Sequence, residues 1–268
     1  MTSLVDDLGF NFGNAVSWFP HEQEQPYVLV RMNAQHVALM EAALAEPLRR
    51  CYITDEMLRA AAKRHGFTLS DVLAGKLPDA GATMAGDFGE VLGYFYQSAM
   101  EYPGNAIGPK KWRLKQDRTK PAPKSDVIHF IMPQRPAASA ADQVLCAEVK
   151  VKSTSASSDP IGSAITDCAK DRTSRLASTL VWLRERAMTE DLGDVDIPLL
   201  NRFINAVDHP PATQRFRAVA VICENLLTAE LPNAPTRASD EYTLVVISVP
   251  NLHTTYNAAF EAARASVR

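Results

Sequence analysis

The 268-residue chain has only four cysteines, and no two of them form a CxxC pair. Cys51, Cys146, Cys168 and Cys223 are scattered, three of them in apolar strand-like or helical segments, so they read as buried thiols in a reducing compartment, without a zinc or redox motif. Long apolar runs are also missing. Nothing approaches the ~20 residues that cross a bilayer, and the first 30 residues lack a basic start followed by an apolar core, so neither a membrane span nor a signal peptide is expected and the location reads as cytoplasmic. Neither a GxxxxGKS/T loop nor a GxGxxG turn occurs, so an NTP-driven motor would have to be a separate chain. Histidine is sparse: His21, His36, His65 and His253 are too dispersed for a metal cluster, His209 precedes Pro210-Pro211 in a loop, and His129 reads as a satisfied core histidine.

What is present suits a globular protein: 46% hydrophobic and 22% charged residues, enough to bury one large core or two small ones. The net charge is −3, but it is unevenly spread. From Lys110 to Lys124 there are seven basic residues (Lys110, Lys111, Arg113, Lys115, Arg118, Lys120, Lys124) against Asp117 alone. Taking that window from the 28 basic and 31 acidic residues leaves 21 and 30, an acidic protein with one local basic stretch. A charge run is ordinarily solvated surface. Here it leads directly into Asp126, which suggests phosphate contact.

Residues 1–80 read as an α+β accessory region: a strand at Tyr27–Arg31, a helix over 34–48 capped by Asn33, a second opened by Thr54, and a third short one near Ser70. From Met84 the pattern tightens. A helix from Ala85 to Met100 carries Phe88, Val91, Leu92, Phe95 and Tyr96 at helical spacing, with Glu90 at the edge of that face. The stretch around Trp112 reads as an edge strand, Val127–Met132 and Val144–Val151 as a hairpin-like strand pair, and 161–186 as one long helix. A helix near 198–207 follows, then apolar strands at Phe216–Cys223 and Tyr242–Val249 and a last helix over 254–267. The expected fold is α/β, a mixed central sheet flanked by helices.

Glu148 and Lys150 stand two apart in the apolar run Val144–Val151, so a strand points both to one face. A carboxylate and an ammonium there are costly unless they pair or hold a metal. ExK alone is weak and is often a surface salt bridge. The apolar flanks, an Asp on the preceding strand and a Glu-bearing helix before both strengthen it. Asp126 and Glu148, with the carbonyl of Val149, suit a hard cation such as Mg²⁺ or Mn²⁺. Lys150 would orient the attacking water or stabilise phosphorane oxygens, and Glu90 would tune the water network or bind a second ion.

This arrangement resembles the PD-(D/E)XK nuclease superfamily over roughly residues 84–250, although Lys124-Ser125 stands where a Pro usually precedes the Asp. More narrowly, Gly86-Asp87-Phe88-Gly89-Glu90, the basic Trp112 stretch, Lys124-Ser125-Asp126 and Ala147-Glu148-Val149-Lys150 are similar to the HamA/AbpA-like nuclease subunit of Hachiman-type antiphage defence. The resemblance implies a restriction-endonuclease-like core over 84–268, with Glu90, Asp126, Glu148 and Lys150 as catalytic residues. It also implies DNA as substrate, a separate helicase partner and a docking role for residues 1–80. Lys110, Lys111, Arg113, Lys115 and Lys170 are the expected DNA contacts, with Arg172 and Arg175 as further candidates on the same helix. Trp112 is expected either to stack on a base or to pack on the core. The alternatives are a silent nuclease-fold adaptor that binds DNA or a partner, and an RNase using the same site.

Overall fold

A computed structural model describes residues 6–104, 106–205 and 207–267. Among these, six strands form one sheet: β1 (His21–Gln23), β2 (Val28–Arg31), β3 (Val127–Ile131), β4 (Gln143–Lys152), β5 (Thr213–Cys223) and β6 (Thr243–Val249). Their order is β1-β2-β6-β5-β4-β3. β2, β6, β5 and β4 run parallel to one another, and β1 and β3 close the two edges antiparallel. Parallel strands are covered on both faces, which is why β5 from Ala218 onward and β6 from Leu244 onward are buried and almost wholly apolar.

Alternation along β4 assigns the faces. Ala147 and Val149 join a large core with α1 (Ala34–Tyr52), α4 (Ala82–Met100) and α9 (Leu252–Ala265). Val144 and Cys146 point the other way, toward Leu176, Leu180 and Leu183 of α6 (Leu176–Arg186) and Leu199 of α7 (Ile197–Ile204). On that face α5 (Pro160–Lys170) lays Ile161, Ala164 and Cys168 on Ala218, Ala220 and Ile222 of β5. Each large apolar side chain buried in these layers contributes roughly 1.5–3 kcal/mol.

Local chemistry sets the helix ends. Asn33 accepts hydrogen bonds from Gln35 N–H and His36 N–H at the start of α1, and Thr54 accepts from Met57 N–H at the start of α2 (Asp55–His65). Thr68 accepts from Asp71 N–H at the start of the short α3 (Leu69–Ala74), while α8 (Glu224–Glu230) follows β5 directly. Two departures from the expected elements bear on the site. The stretch around Trp112 is no edge strand but a 3₁₀ turn, Lys111–Leu114, with Trp112 buried. The long helix over 161–186 is broken into α5 and α6 by a π-helical turn, Asp171–Arg175.

The first 80 residues, read from the sequence as an accessory region, are continuous with the sheet. β2 pairs with β6, and Leu8, Trp18, Met40 and Leu48 share a core with Phe88 and Phe95. Among the described residues no helix is long and apolar enough to cross a membrane.

Candidate active site

Three elements meet at the β3–β4 edge. The register pairs Val127 with Ala147, so Asp126, one residue before β3, continues that register opposite Glu148. Glu148 and Lys150 point to the α5/α6 face of β4. Glu90 arrives from α4 on the opposite face, and a close helix–strand approach allows it. A Cβ on Gly89 would collide with the Val151 side chain, and one on Gly93 would sit 3.0 Å from Val149 Cγ2. The two glycines, four apart, let α4 lie directly on β4.

Around Asp126 and Glu90 the contacts are buried. Asp126 accepts a hydrogen bond from Val149 N–H at Oδ2 (2.8 Å). Lys111 donates to the Ser125 carbonyl (2.8 Å) and lies 3.4 Å from Glu90 Oε2 and 3.6 Å from Asp126 Oδ1. The Trp112 indole donates to Glu90 Oε2 (3.0 Å). Burial pushes the Glu90 carboxyl up to about 8, Lys111 opposes that shift, and Asp126 adds to it. Burial also weighs against the charged Lys111, but Glu90 and Asp126 outweigh it and hold its pKa above the usual lysine value.

Around Glu148 the contacts are denser. Lys150 donates to Glu148 Oε1 (2.7 Å) and reaches Asp167 Oδ2 (2.7 Å). Arg175, carried by the π-helical turn, donates to Glu148 Oε2 (2.5 Å), to both oxygens of Asp171 (2.7 and 2.9 Å) and to the Asp167 carbonyl (2.8 Å). Ser125 Oγ donates to Asp171 Oδ1 (2.6 Å), tying the residue before Asp126 to the same network. Burial pushes Glu148 up to about 7 and the neighbouring Asp126 adds to that, against Lys150 and Arg175. Asp167 is also pushed up by burial, yet hydrogen bonds from Lys150 and Lys170 bring it down to about 2.

The expected catalytic quartet is thus gathered around one edge, in two halves that Asp126 joins. Among the described residues no group of three His, Cys, Asp or Glu side chains is arranged to hold a metal by itself. The hard oxygen donors available are the carboxylates of Asp126 and Glu148 and the carbonyl of Val149. A strand residue turns its N–H and C=O to the same side. Because Val149 N–H meets Asp126, its carbonyl faces the same edge, beyond the end of β3.

The expected DNA contacts need correcting. Lys110 is buried against Asp6 (3.0 Å) and Asp7, Arg113 against Asp7 (2.6 Å) and the Arg50 carbonyl (2.9 Å), and Lys115 against Asp87 (2.7 Å). Lys111 is an interior member of the site. The basic window is therefore mostly neutralised inside the fold by acids distant in sequence, which a charge count over neighbouring residues does not register. Lys170 is exposed and bonds Asp167 (2.5 Å), one contact removed from Lys150, while Arg172 pairs with Glu241 (2.6 Å). Trp112 packs in the core and positions Glu90. His129 is buried between Gln97 (2.9 Å) and Ser98 (2.7 Å), away from the carboxylates.

Asp167 and Asp171 were not singled out from the sequence. With Arg175 they recur every four residues, a helix face turned toward β4, and that periodicity was the available signal.

A mixed-sheet α/β protein with a buried carboxylate–lysine cluster at a strand edge is the class this fold and site define. The chain belongs to the HamA family, whose family model matches residues 21–263, and is accordingly a component of Hachiman-type antiphage defence. No curated protein matches it.

Proposed function

We propose that this chain is the nuclease of its defence system, a metal-dependent DNA phosphodiesterase of the PD-(D/E)XK type that works with a separate helicase. The observation that carries this reading is Asp126 continuing the β3–β4 register opposite Glu148, with Lys150 bonded to Glu148. The donor set fits Mg²⁺ or Mn²⁺. Mg²⁺ is bound through one or two carboxylates and keeps several waters, and Asp126, Glu148 and the Val149 carbonyl offer oxygen donors of that kind. Burial first, and repulsion from Asp126 second, raise the Glu148 carboxyl, and a bound cation would oppose both.

Asp126 and Glu148, with the Val149 carbonyl, would hold the ion, which supplies an activated water and neutralises charge on phosphorus. Lys150 keeps its proton, because Glu148 and Asp167 stabilise the charged form against burial. Beside Glu148 it would orient the attacking water or stabilise the phosphorane oxygens as a positive charge. Arg175 fixes the Glu148 rotamer from the opposite side. Glu90, raised by burial, holds the Trp112 and Lys111 side and orders the water network near Asp126.

Digestion of plasmid DNA and of total RNA, with Mg²⁺, Mn²⁺ or EDTA and with or without the cognate helicase, tests the reading. Metal-dependent DNA cleavage is expected, lost by at least two orders of magnitude in Glu148→Ala and Lys150→Ala variants whose circular dichroism is unchanged. Mg²⁺-dependent cleavage retained in both variants overturns the assignment. Cleavage of RNA alone moves it to an RNase.

A further inference from the structure

We propose that the cavity beside Trp182 holds an unpaired base of a single-stranded DNA segment leading into the Asp126–Glu148 cluster, an inference that rests on the nuclease reading above. The cavity, about 250 Å³, opens between helix α6 and the loop entering Asp126, and is lined by Leu114, Lys120, Pro121, Pro123, Trp182 and Arg186 among others. Trp18 and Trp112 are each 2% exposed. Trp182 is only half-buried: it rests on the core beneath α6 and also borders the cavity. Of the three tryptophans it is the one a ligand can reach.

Charge around the opening complements a phosphate backbone. The Arg186 guanidinium lies over the Trp182 ring, 5.8 Å from its centroid, so an incoming base would share that face with it. Lys120 has a 76% exposed side chain, and Lys124 is exposed on the same loop. Asp117, 3.5 Å from Lys120, is the acid at this rim. Lys120 and Lys124 belong to the basic window but, unlike Lys110, Lys111, Arg113 and Lys115, remain accessible.

Placement ties the cavity to the site. Arg175, Thr179, Trp182 and Arg186 recur at i, i+4, i+7 and i+11, one face of a helix. Arg175 holds Glu148, and the Thr179 hydroxyl meets Ser125 N–H (3.3 Å) and Ser125 Oγ (3.0 Å), next to Asp126. The stripe therefore starts at the carboxylates and reaches Trp182 about 10 Å further along the helix axis. An aromatic face flanked by cations is how proteins grip single strands without reading their sequence, and Arg beside the ring adds a cation–π contribution. A duplex keeps its base faces stacked and would not fill the cavity.

The test measures binding in EDTA at low salt, using a fluorescein-labelled 15-nucleotide oligo-dT and a 15-base-pair duplex as probes, with anisotropy and tryptophan emission as readouts. The single strand is expected to bind more tightly than the duplex and to quench emission. Trp182→Leu should abolish the quench and weaken binding at least about fivefold, the lower range for one base–aromatic stack. Trp182→Tyr should restore most of the affinity, and Lys120→Glu with Arg186→Glu should flatten its salt dependence. Equal affinity of wild type and Trp182→Leu, preference for the duplex, or no binding by wild type overturns the proposal. Binding through Trp182 with no cleavage of DNA or RNA in Mg²⁺ or Mn²⁺, with or without the helicase, upholds it and removes the nuclease reading. Cleavage with binding indifferent to Trp182 does the reverse.

Discussion

Lys111 separates two carboxylates that would otherwise face each other with no cation between them. Its side chain is 5% exposed and that of Glu90 7%. Removing one member of a buried ion pair leaves the other charge uncompensated, at roughly 3–5 kcal/mol. Lys111→Met should therefore lower unfolding free energy by an amount of that order in urea titrations at about pH 9, where Glu90 is ionised, and adding Glu90→Gln should recover part of the loss. A double variant no more stable than Lys111→Met would place the loss in packing and not in charge. The same residue illustrates the limit of a one-dimensional charge count. Lys110, Lys111, Arg113 and Lys115 look like a surface patch because their partners, Asp6, Asp7, Asp87 and Glu90, lie between 20 and about 100 residues away. By contrast Glu148 and Lys150 were legible, because period-two spacing inside an apolar strand is a local signal.

At the scale of elements, the approach of α4 to β4 depends on what Gly89 lacks. Alanine in place of a helical glycine ordinarily adds about 0.5–1 kcal/mol of stability. At position 89 the new methyl would meet Val151, a β-branched side chain on the facing strand with little freedom to move. Gly89→Ala should therefore destabilise, in the range of about 1–3 kcal/mol for overpacking, and displace Glu90, lowering cleavage as well. A thermal melt showing Gly89→Ala above wild type would mean that α4 stands off the strand.

Capped helix starts were legible to the residue, since Asn33 and Thr54 do cap α1 and α2, whereas α1 runs on past the expected 48 to Tyr52 and α4 begins at Ala82, before the expected Ala85. The 3₁₀ turn at Lys111–Leu114 and the π-helical turn at Asp171–Arg175 were not, since both are dictated by tertiary partners, Glu90 for the first and Glu148 for the second. Nothing in their local sequence separates them from a strand and a regular helix.

For the molecule as a whole, the pH response has an identifiable contributor remote from the carboxylates. Burial holds the His129 imidazole neutral, well below its ordinary value of 6.5, and Lys110 and Arg217 push it the same way. The unfolded chain binds this proton more readily than the folded one. The contribution of His129 is thus complete above pH 6.5 and is lost progressively as pH falls below it. Glu90 and Glu148, whose folded values are raised, trend oppositely, so the informative quantity is the difference between wild type and a His129→Gln variant. Melting temperatures from pH 5 to 8 should fall more steeply toward acid in wild type than in the variant. Parallel curves would mean that His129 titrates in the fold as it does in the unfolded chain.

The pairing of β2 with β6 joins Val28–Arg31 to residues 245–248, close to the two ends of the chain. On a ribosome, the early strand has no sheet to join until Thr243–Val249 has been made, and its apolar Leu29 and Val30 must wait in the meantime. Completion of the sheet is therefore a late step in folding, slowed by closing the long loop between these two strands.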